Sequence, residues 1–280
     1  MEARGNILMT FKERNLDRSS EYWDSTSKKI PLGQDYDELI AEHYRIAHLN
    51  LIDKWTQDSC YQAVLKTDLF AEAMCPSRSF AWELLGKFSN LTGIDVSDEI
   101  CHKARETAAH YAPLHSLEAT ACDVRKLPFT DGSFDLIVSD STLDHFKFTR
   151  DIDIALNELA RVLKPGGTLI LTLDNKSNIT EPLFRLWIAM GLSSFFIGKT
   201  YSMKELERAL ARTGMPVTDK TTLIHNPRFF AKLMAAILRK TQPGKASGRI
   251  KRLLGFFDSL ENKPTKYLTA QFIAIKAIKP

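Results

Sequence analysis

Two periods of apolar residues run along this chain. Residues 37–55 place Leu39, Ile40, Ile46, Leu49, Ile52 and Trp55 at roughly helical spacing, which predicts an amphipathic helix. Strand-length runs of β-branched and aliphatic residues then recur around Ala63-Val64-Leu65-Lys66 and over residues 91–95, 117–122, 134–139 and 168–173. Helical patterns fill the gaps at 78–88, 98–111 and 152–163. The last of these stops at Lys164-Pro165-Gly166-Gly167, a breaker that reads as a turn. Strand–helix alternation of this kind predicts an α/β fold with a doubly wound, mostly parallel sheet.

After Asp174 the pattern loosens. Residues 182–196 are apolar and read as a helix. Residues 202–213 form a clear one: Ser202 is a candidate N-cap, Glu205 completes a capping box, and Gly214 follows the end. Residues 217–224 and 267–278 are strand candidates. Helices are expected at 227–239 and 249–260, with Gln242-Pro243-Gly244-Lys245-Ala246-Ser247-Gly248 as a flexible link between them. The first 35 residues are polar and irregular, and read either as a flap over a ligand or as a loose terminus. The expected division is an N-terminal arm and helical cap over 1–57 and a core over 58–280, with substrate-covering segments at about 175–200 and 226–263.

Composition narrows the class. Of the 280 residues 44% are hydrophobic and 26% charged, which suits a soluble globular protein. A net charge of +4 does not call for nucleic acid. Cys60, Cys75, Cys101 and Cys122 form no CxxC pair and have no zinc-type spacing, so reduced thiols and a cytoplasmic protein are expected. The N-terminus has no secretory pattern. The most apolar window, 182–197, contains Arg185 and is too short to span a bilayer comfortably. No metal-binding cluster is evident.

Candidate chemistry sits at the strand ends. Asp95, Asp123 and Asp140 each follow an apolar run, where open α/β sheets bind ligands. A carboxylate at Asp95 can accept from both hydroxyls of a ribose. The competing role, capping the next helix, is one that Ser97 can fill. Lys164-Pro165-Gly166-Gly167 is no phosphate loop, because it follows a helix and precedes a strand.

Three motifs in order carry a resemblance: Gly93-Ile94-Asp95-Val96-Ser97; Asp123-Val124 with Leu127-Pro128-Phe129-Thr130-Asp131-Gly132-Ser133-Phe134-Asp135; and Glu158-Leu159-Ala160-Arg161-Val162-Leu163-Lys164-Pro165-Gly166-Gly167. Together they resemble the class I S-adenosylmethionine-dependent methyltransferases, in particular the branch acting on quinones and other small molecules. The resemblance implies a seven-stranded Rossmann-like sheet and S-adenosyl-L-methionine as cofactor. It places Asp95 and Val96 at the ribose, and Asp123 and the Val124 N–H at the adenine. Asp140 and Ser141 then line the gap between cofactor and acceptor, and Asp135 is structural.

The first motif departs from the family. Where an acidic residue and a glycine-rich loop are usual, the chain has Val64-Leu65-Lys66-Thr67-Asp68-Leu69-Phe70-Ala71-Glu72-Ala73, with no glycine. In one reading Asp68 meets the cofactor's α-ammonium while Lys66 or Thr67 grips its carboxylate. In the other the site has decayed into a binding module.

His145 and Asp144 follow the fourth strand, close to where the methyl group is expected. His145 is the first candidate for a general base; ordering the loop is its alternative role. His43, Tyr201 and His225 are candidate substrate contacts. Leu183, Phe184, Trp187, Phe229 and Phe230 belong either to core packing or to an apolar acceptor pocket. The basic residues of the late helices, among them Arg228, Lys232, Lys245, Arg249 and Arg252, read as a solvated face, a contact with an anionic membrane surface, or a contact with an anionic substrate. The expected function is methyl transfer to O, N or C of a small, partly apolar molecule. The alternatives are a catalytically silent binding protein and a non-methylating enzyme on the same scaffold.

Overall fold

The strand order is what creates a ligand site in this molecule. The structure, a computed structural model, describes residues 37–57, 60–88, 90–190 and 197–280. Its strands are β1 (Ala63–Thr67), β2 (Asn90–Asp95), β3 (Glu118–Ala121), β4 (Phe134–Asp140), β5 (Leu163–Asp174), β6 (Val217–Leu223) and β7 (Phe272–Ile278). They form one sheet in the order β3-β2-β1-β4-β5-β7-β6. Strands β1 to β5 are parallel, and β7 runs antiparallel between β5 and β6. The chain winds outward through β2 and β3, then returns to the centre at β4. A crevice therefore opens between the carboxyl ends of β1 and β4.

The helices are α1 (Glu38–Thr56), α2 (Phe70–Met74), α3 (Ala81–Lys87), α4 (Asp98–Tyr111), α5 (Thr149–Val162), α6 (Glu181–Ala189), α7 (Met203–Arg212), α8 (Arg228–Thr241), α9 (Pro243–Asp258) and α10 (Lys266–Thr269). Two apolar layers hold them to the sheet. Ile52, Trp55, Leu69, Leu84 and Ile100 pack on one face. Leu65, Ile137, Leu156, Leu159, Leu171, Leu206 and Ile275 pack on the other. Each large aliphatic side chain buried this way contributes roughly 1.5–3 kcal/mol.

Local rules place several ends. Ser97 accepts from the Ile100 N–H at 3.1 Å and starts α4, which leaves Asp95 free of the N-cap role. The capping box of Ser202 and Glu205 starts α7. At the opposite, amino end of the central strands, Asp135 accepts from the backbone N–H groups of Gln62 and Ala63 at 3.1 and 3.0 Å, fixing where β1 begins.

Some expectations are corrected. One crossover helix over 78–88 is replaced by α2 and the shorter α3. The turn at Lys164-Pro165-Gly166-Gly167 lies inside β5, where a register irregularity against β4 and a Gly166 φ of 75° take up the bend. The link expected to be flexible at 242–248 is helical from Pro243 on: Pro243 sits in the first turn of α9, where its missing N–H costs nothing. Ala246 packs in the cluster that contains Ala235, Ile250 and Leu254, which outweighs the poor helix propensity of the glycines. The tail strand is shorter than expected, because residues 266–269 form α10. The N-terminal arm lies outside the described residues, as do residues 191–196 at the end of the apolar 182–196 segment.

Candidate functional site

A cavity of about 190 Å³ lies over the carboxyl ends of β1 and β4. Lys66, Asp68, Asp140 and Ser141 form its floor, with His145 beside them. Helix α1 closes one side with Ile40, Ala41, His43 and Tyr44. Phe184 of α6, Arg228 and Lys232 of α8, and Ile224 and Phe272 complete the wall. Among the described residues, three non-glycine residues have positive φ: Asp68 at 67°, Ser141 at 47° and Ile224 at 59°. All three line this cavity. A β-branched residue such as Ile224 adopts that conformation only when its surroundings impose it, and such strain concentrates at functional sites.

The glycine-free first motif has a structural answer. Asp68 takes the left-handed conformation that glycine would supply, and aspartate tolerates it better than most residues. Its Oδ1 accepts from the Phe70 N–H at 2.7 Å, closing a side-chain turn. Lys66 occupies the place of the usual strand-end acid. Its Nζ donates to the Asp68 carbonyl at 2.5 Å and to Glu72 at 3.1 Å. Glu72 is fully buried and also accepts from Ser79 Oγ at 2.8 Å. Burial would lower the Lys66 pKa, but the charges of Glu72, Asp68 and Asp140 outweigh it and raise it, so Lys66 stays charged. Thr67, by contrast, is buried and bonded to Ser139 and Thr142. Its hydroxyl does not reach the cavity.

Asp140 is the hub of the floor. It accepts from Tyr44 Oη at 2.8 Å and from Thr172 Oγ1 at 2.6 Å, and lies 3.0 Å from His48 Nε2. Burial works to raise its pKa; His48, Lys66 and the Thr172 hydroxyl overcome this and hold it well below the usual carboxylate range. The Tyr44 ring is sandwiched between the His48 ring, 4.0 Å away, and the Arg78 guanidinium, 3.7 Å away. Helix α1 is thereby fastened to the end of β4 by buried polar contacts.

The cofactor positions expected from sequence lie along one line of strand ends. Asp95 accepts from the Leu69 and Ser97 N–H groups, both at 3.0 Å. Burial first, and then the charge of Asp68, push its pKa up to about 7. The same desolvation raises Asp68, against Lys66 and His145. Gly93 lets Leu69 pack against β2: a Cβ there would sit 2.6 Å from Leu69 Cδ2. Val96 is half-buried next to Asp95. At the end of β3, Asp123 grips Arg125 through Nε and Nη2, and Val124 is buried behind it. The set of groups suits an adenosyl cofactor: strand-end carboxylates at Asp95 and Asp123, and a third acid at Asp68, which alone of the three lines the cavity.

The remaining expected residues divide. His145 lines the cavity on the 3-10 turn Leu143–His145. Burial raises the pKa of both Asp68 and Asp144, and the nearby His145 works against that rise in each, so it lies within reach of two carboxylates. Asp144 does not line the cavity. Its buried Oδ2 accepts from Ser141 Oγ at 2.9 Å and from the Asp174 N–H at 2.7 Å, which makes it a brace for the loop. His43 lines the cavity and lies 3.2 Å from Asp258 of α9. Tyr201 packs in the core with Leu206 and Leu210, and His225 is held by Thr269 and Glu261. Neither joins the cavity wall: Tyr201 is turned into that core and His225 towards its two polar partners.

Asn226, Tyr44 and His48 were missing from the sequence reading, and Arg228 entered it only as one of the basic residues of the late helices. Arg228 pairs with Asp174, donates to Gln271 at 2.9 Å, and lies over the rings of Phe184 and Phe272. Asn226 lines the cavity, is 2% exposed, and has an Oδ1 with no hydrogen-bond partner. Tyr44 and His48, one helical turn apart on the buried side of α1, carried the signal of polar groups inside an apolar stripe.

Comparison with known proteins agrees with this geometry. Residues 74–171 match the family model described as "Methyltransferase domain". The chain is 23% identical over 235 residues to a ubiquinone biosynthesis O-methyltransferase of Sinorhizobium fredii, covering 80% of this chain and 89% of that one. It is 28% identical over 144 residues to a sterol 4-C-methyltransferase of Caenorhabditis elegans, covering 48% of this chain but only 40% of that protein's length. Among solved structures, the N-methyltransferase NodS from Bradyrhizobium japonicum in complex with S-adenosylhomocysteine superposes with a TM-score of 0.59 at 14% identity, covering 92% of this chain and 98% of that one.

Proposed function

We propose, for a chain that carries a class I S-adenosylmethionine-dependent methyltransferase domain, that it transfers the methyl group of S-adenosylmethionine to a small, partly apolar acceptor held under α1 and α8. The observation that carries this reading is the cavity at the switch point. Its floor is the expected cofactor end, and its wall is mixed: Ile40, Ile224, Phe184 and Phe272 beside Asn226, Arg228 and His145. The relatives named for quinone and sterol methylation are consistent with a lipophilic acceptor.

The cofactor supplies an electrophilic methyl group on a sulfonium; the protein's task is alignment and exclusion of water. Asp95 accepts from the ribose hydroxyls. Asp123 and the Val124 N–H hold the adenine. Asp68 meets the α-ammonium, and Lys66, held in place by Glu72, faces the α-carboxylate. Asp140 fixes α1 as the lid over the acceptor. Asn226, buried and unpartnered at Oδ1, accepts a hydrogen bond from an acceptor O–H or N–H, because an unpaired buried amide is costly until it is satisfied. His145 removes the acceptor proton where the attacking atom carries one, and Asp144 braces the turn that presents it.

The test has two parts. Calorimetric titration with S-adenosylhomocysteine should show binding that Asp95→Ala abolishes. Formation of S-adenosylhomocysteine from S-adenosylmethionine, measured against phenolic and isoprenoid quinol acceptors, should fall by roughly 10²–10⁴-fold in His145→Gln while S-adenosylhomocysteine affinity is unchanged. Absence of cofactor binding by the wild type would overturn the methyl-transfer reading in favour of a silent fold. Full turnover by His145→Gln would remove His145 as the base.

A further inference from the structure

Two of the helices that wall the cavity, α6 and α8, carry an unusual outer surface. Helix α6 turns Phe184 inward to Arg228, yet Leu183, Leu186, Trp187 and Met190 are exposed. Their spacing of i, i+3, i+4 and i+7 puts all four on one stripe. On α8, Phe230, Leu233 and Ile237 are exposed at i, i+3 and i+7. These seven side chains and Phe256 of α9 are between 38% and 64% exposed.

Charge completes the picture. Between Asp219 and Asp258 the sequence holds no carboxylate, while residues 228–252 hold Arg228, Lys232, Arg239, Lys240, Lys245, Arg249, Lys251 and Arg252. On α9, Lys245, Arg249, Arg252 and Phe256 are all exposed and fall at i, i+4, i+7 and i+11, a single outward row. Phe257 makes edge contacts with both Phe230 of α8 and Phe256, so the apolar stripe of α8 continues into the basic row of α9. A solvated surface has no use for stripes of Leu, Trp and Phe. A protein partner would have to be acidic and apolar at once over two helices. An anionic bilayer surface offers both properties together: phosphates at the level of the lysines and arginines, and acyl chains beneath.

We propose that α6, α8 and α9 dock this protein onto an anionic phospholipid surface, with the basic row of α9 on the headgroups and the apolar stripes of α6 and α8 pressed into the interface. Among the described residues no helix is long and apolar enough to cross a membrane, so the helices lie on the surface rather than span it. Because α6 and α8 also wall the cavity, docking brings the acceptor site to the layer in which a lipophilic acceptor dissolves; that last step rests on the proposed function, whereas the docking itself does not.

Co-sedimentation with vesicles of phosphatidylcholine alone and of phosphatidylcholine mixed with phosphatidylglycerol tests it. The full chain should sediment with the mixed vesicles at low salt, weakly at high salt, and not with phosphatidylcholine alone. The triple variant Lys245→Ala, Arg249→Ala, Arg252→Ala should bind the mixed vesicles roughly a hundredfold more weakly, since each cation near the surface counts for about fivefold. The pair Leu186→Ser, Leu233→Ser should weaken binding while leaving its salt dependence intact. All five positions are exposed and outside the cavity wall, and unchanged S-adenosylhomocysteine affinity checks that the variants are folded. Equal binding by wild type and variants, or no binding to anionic vesicles, overturns the proposal. So does a concentration-dependent dimer in sedimentation velocity that the leucine variant abolishes, which would assign the face to a second copy of the chain. A chain that docks on vesicles but fails to bind S-adenosylhomocysteine would instead refute the methyl-transfer reading alone.

Discussion

Replacing Asp68 by glycine restores the residue that the resembled family uses at this turn, and so separates conformation from chemistry. Three terms act on stability. Glycine relieves a left-handed φ of 67°, worth about 1–2 kcal/mol for an ordinary residue and less for aspartate. It gives up about 0.5–1 kcal/mol through the greater freedom of the unfolded chain. It also loses the 2.7 Å bond from the Phe70 N–H to Oδ1, worth about 1 kcal/mol. The terms nearly cancel, so Asp68→Gly should unfold within about 1 kcal/mol of the wild type. Cofactor binding responds differently if the carboxylate holds the α-ammonium. A hydrogen bond to a charged group is worth about 1.5–3 kcal/mol, so S-adenosylhomocysteine should bind roughly 10- to 150-fold more weakly. The control ligand is methylthioadenosine, which keeps the adenosine and lacks the amino-acid end. Calorimetry should show its affinity unchanged. Wild-type affinity of Asp68→Gly for S-adenosylhomocysteine would refute the ammonium contact, as would an equal loss for both ligands.

Two further outcomes follow from buried charge. Asp95, with a folded pKa near about 7 against about 3.9 in the unfolded chain, favours the folded state most below the unfolded value, and that contribution is lost as pH rises to 7. Asp95→Asn should flatten the fall in stability over that window in chemical denaturation. Ribose binding requires the ionised carboxylate, so S-adenosylhomocysteine should release a proton near neutral pH; binding enthalpies independent of buffer ionisation would contradict this. Glu72→Ala leaves the Lys66 ammonium buried without its carboxylate, costing about 3–5 kcal/mol and lowering Tm by on the order of 10 °C. The double change Lys66→Met, Glu72→Leu should recover most of that, and a thermally silent Glu72→Ala would show that the pair is not buried in solution.

Much of the scaffold was legible because it depends on short-range rules. Apolar runs of strand length, the Ser97 cap and the Ser202–Glu205 capping box need only neighbouring residues. Asp135 was legible as a structural acid only through the resemblance, since the backbone groups it holds, at Gln62 and Ala63, lie 73 and 72 positions away. The expected helix 249–260 began six residues too late, since glycine and proline at 243–248 read as a break until Ala246 is seen packed in the cluster with Ala235. The missing glycines of the first motif read as loss of function or as a variant. Only the backbone shows that Asp68 adopts the glycine conformation itself.

The site divides along the same line. The carboxylates Asp95, Asp123 and Asp140 could be picked out from the chain alone, because each ends an apolar run and such ends lie on one side of a parallel sheet. The sequence also placed His145 in the loop that follows. Which side chains share a cavity depends on the packing of distant elements. That packing brought Tyr44 and His48 onto Asp140, Arg228 onto Asp174 and Asn226 into the wall, and it turned Tyr201, His225 and Asp144 away. Those pairings join residues between 54 and 96 positions apart in the chain, and no local period encodes them. They are set by how α1 and α8 dock across the sheet, where a buried charge must find its polar partners among whatever side chains the docking brings to it.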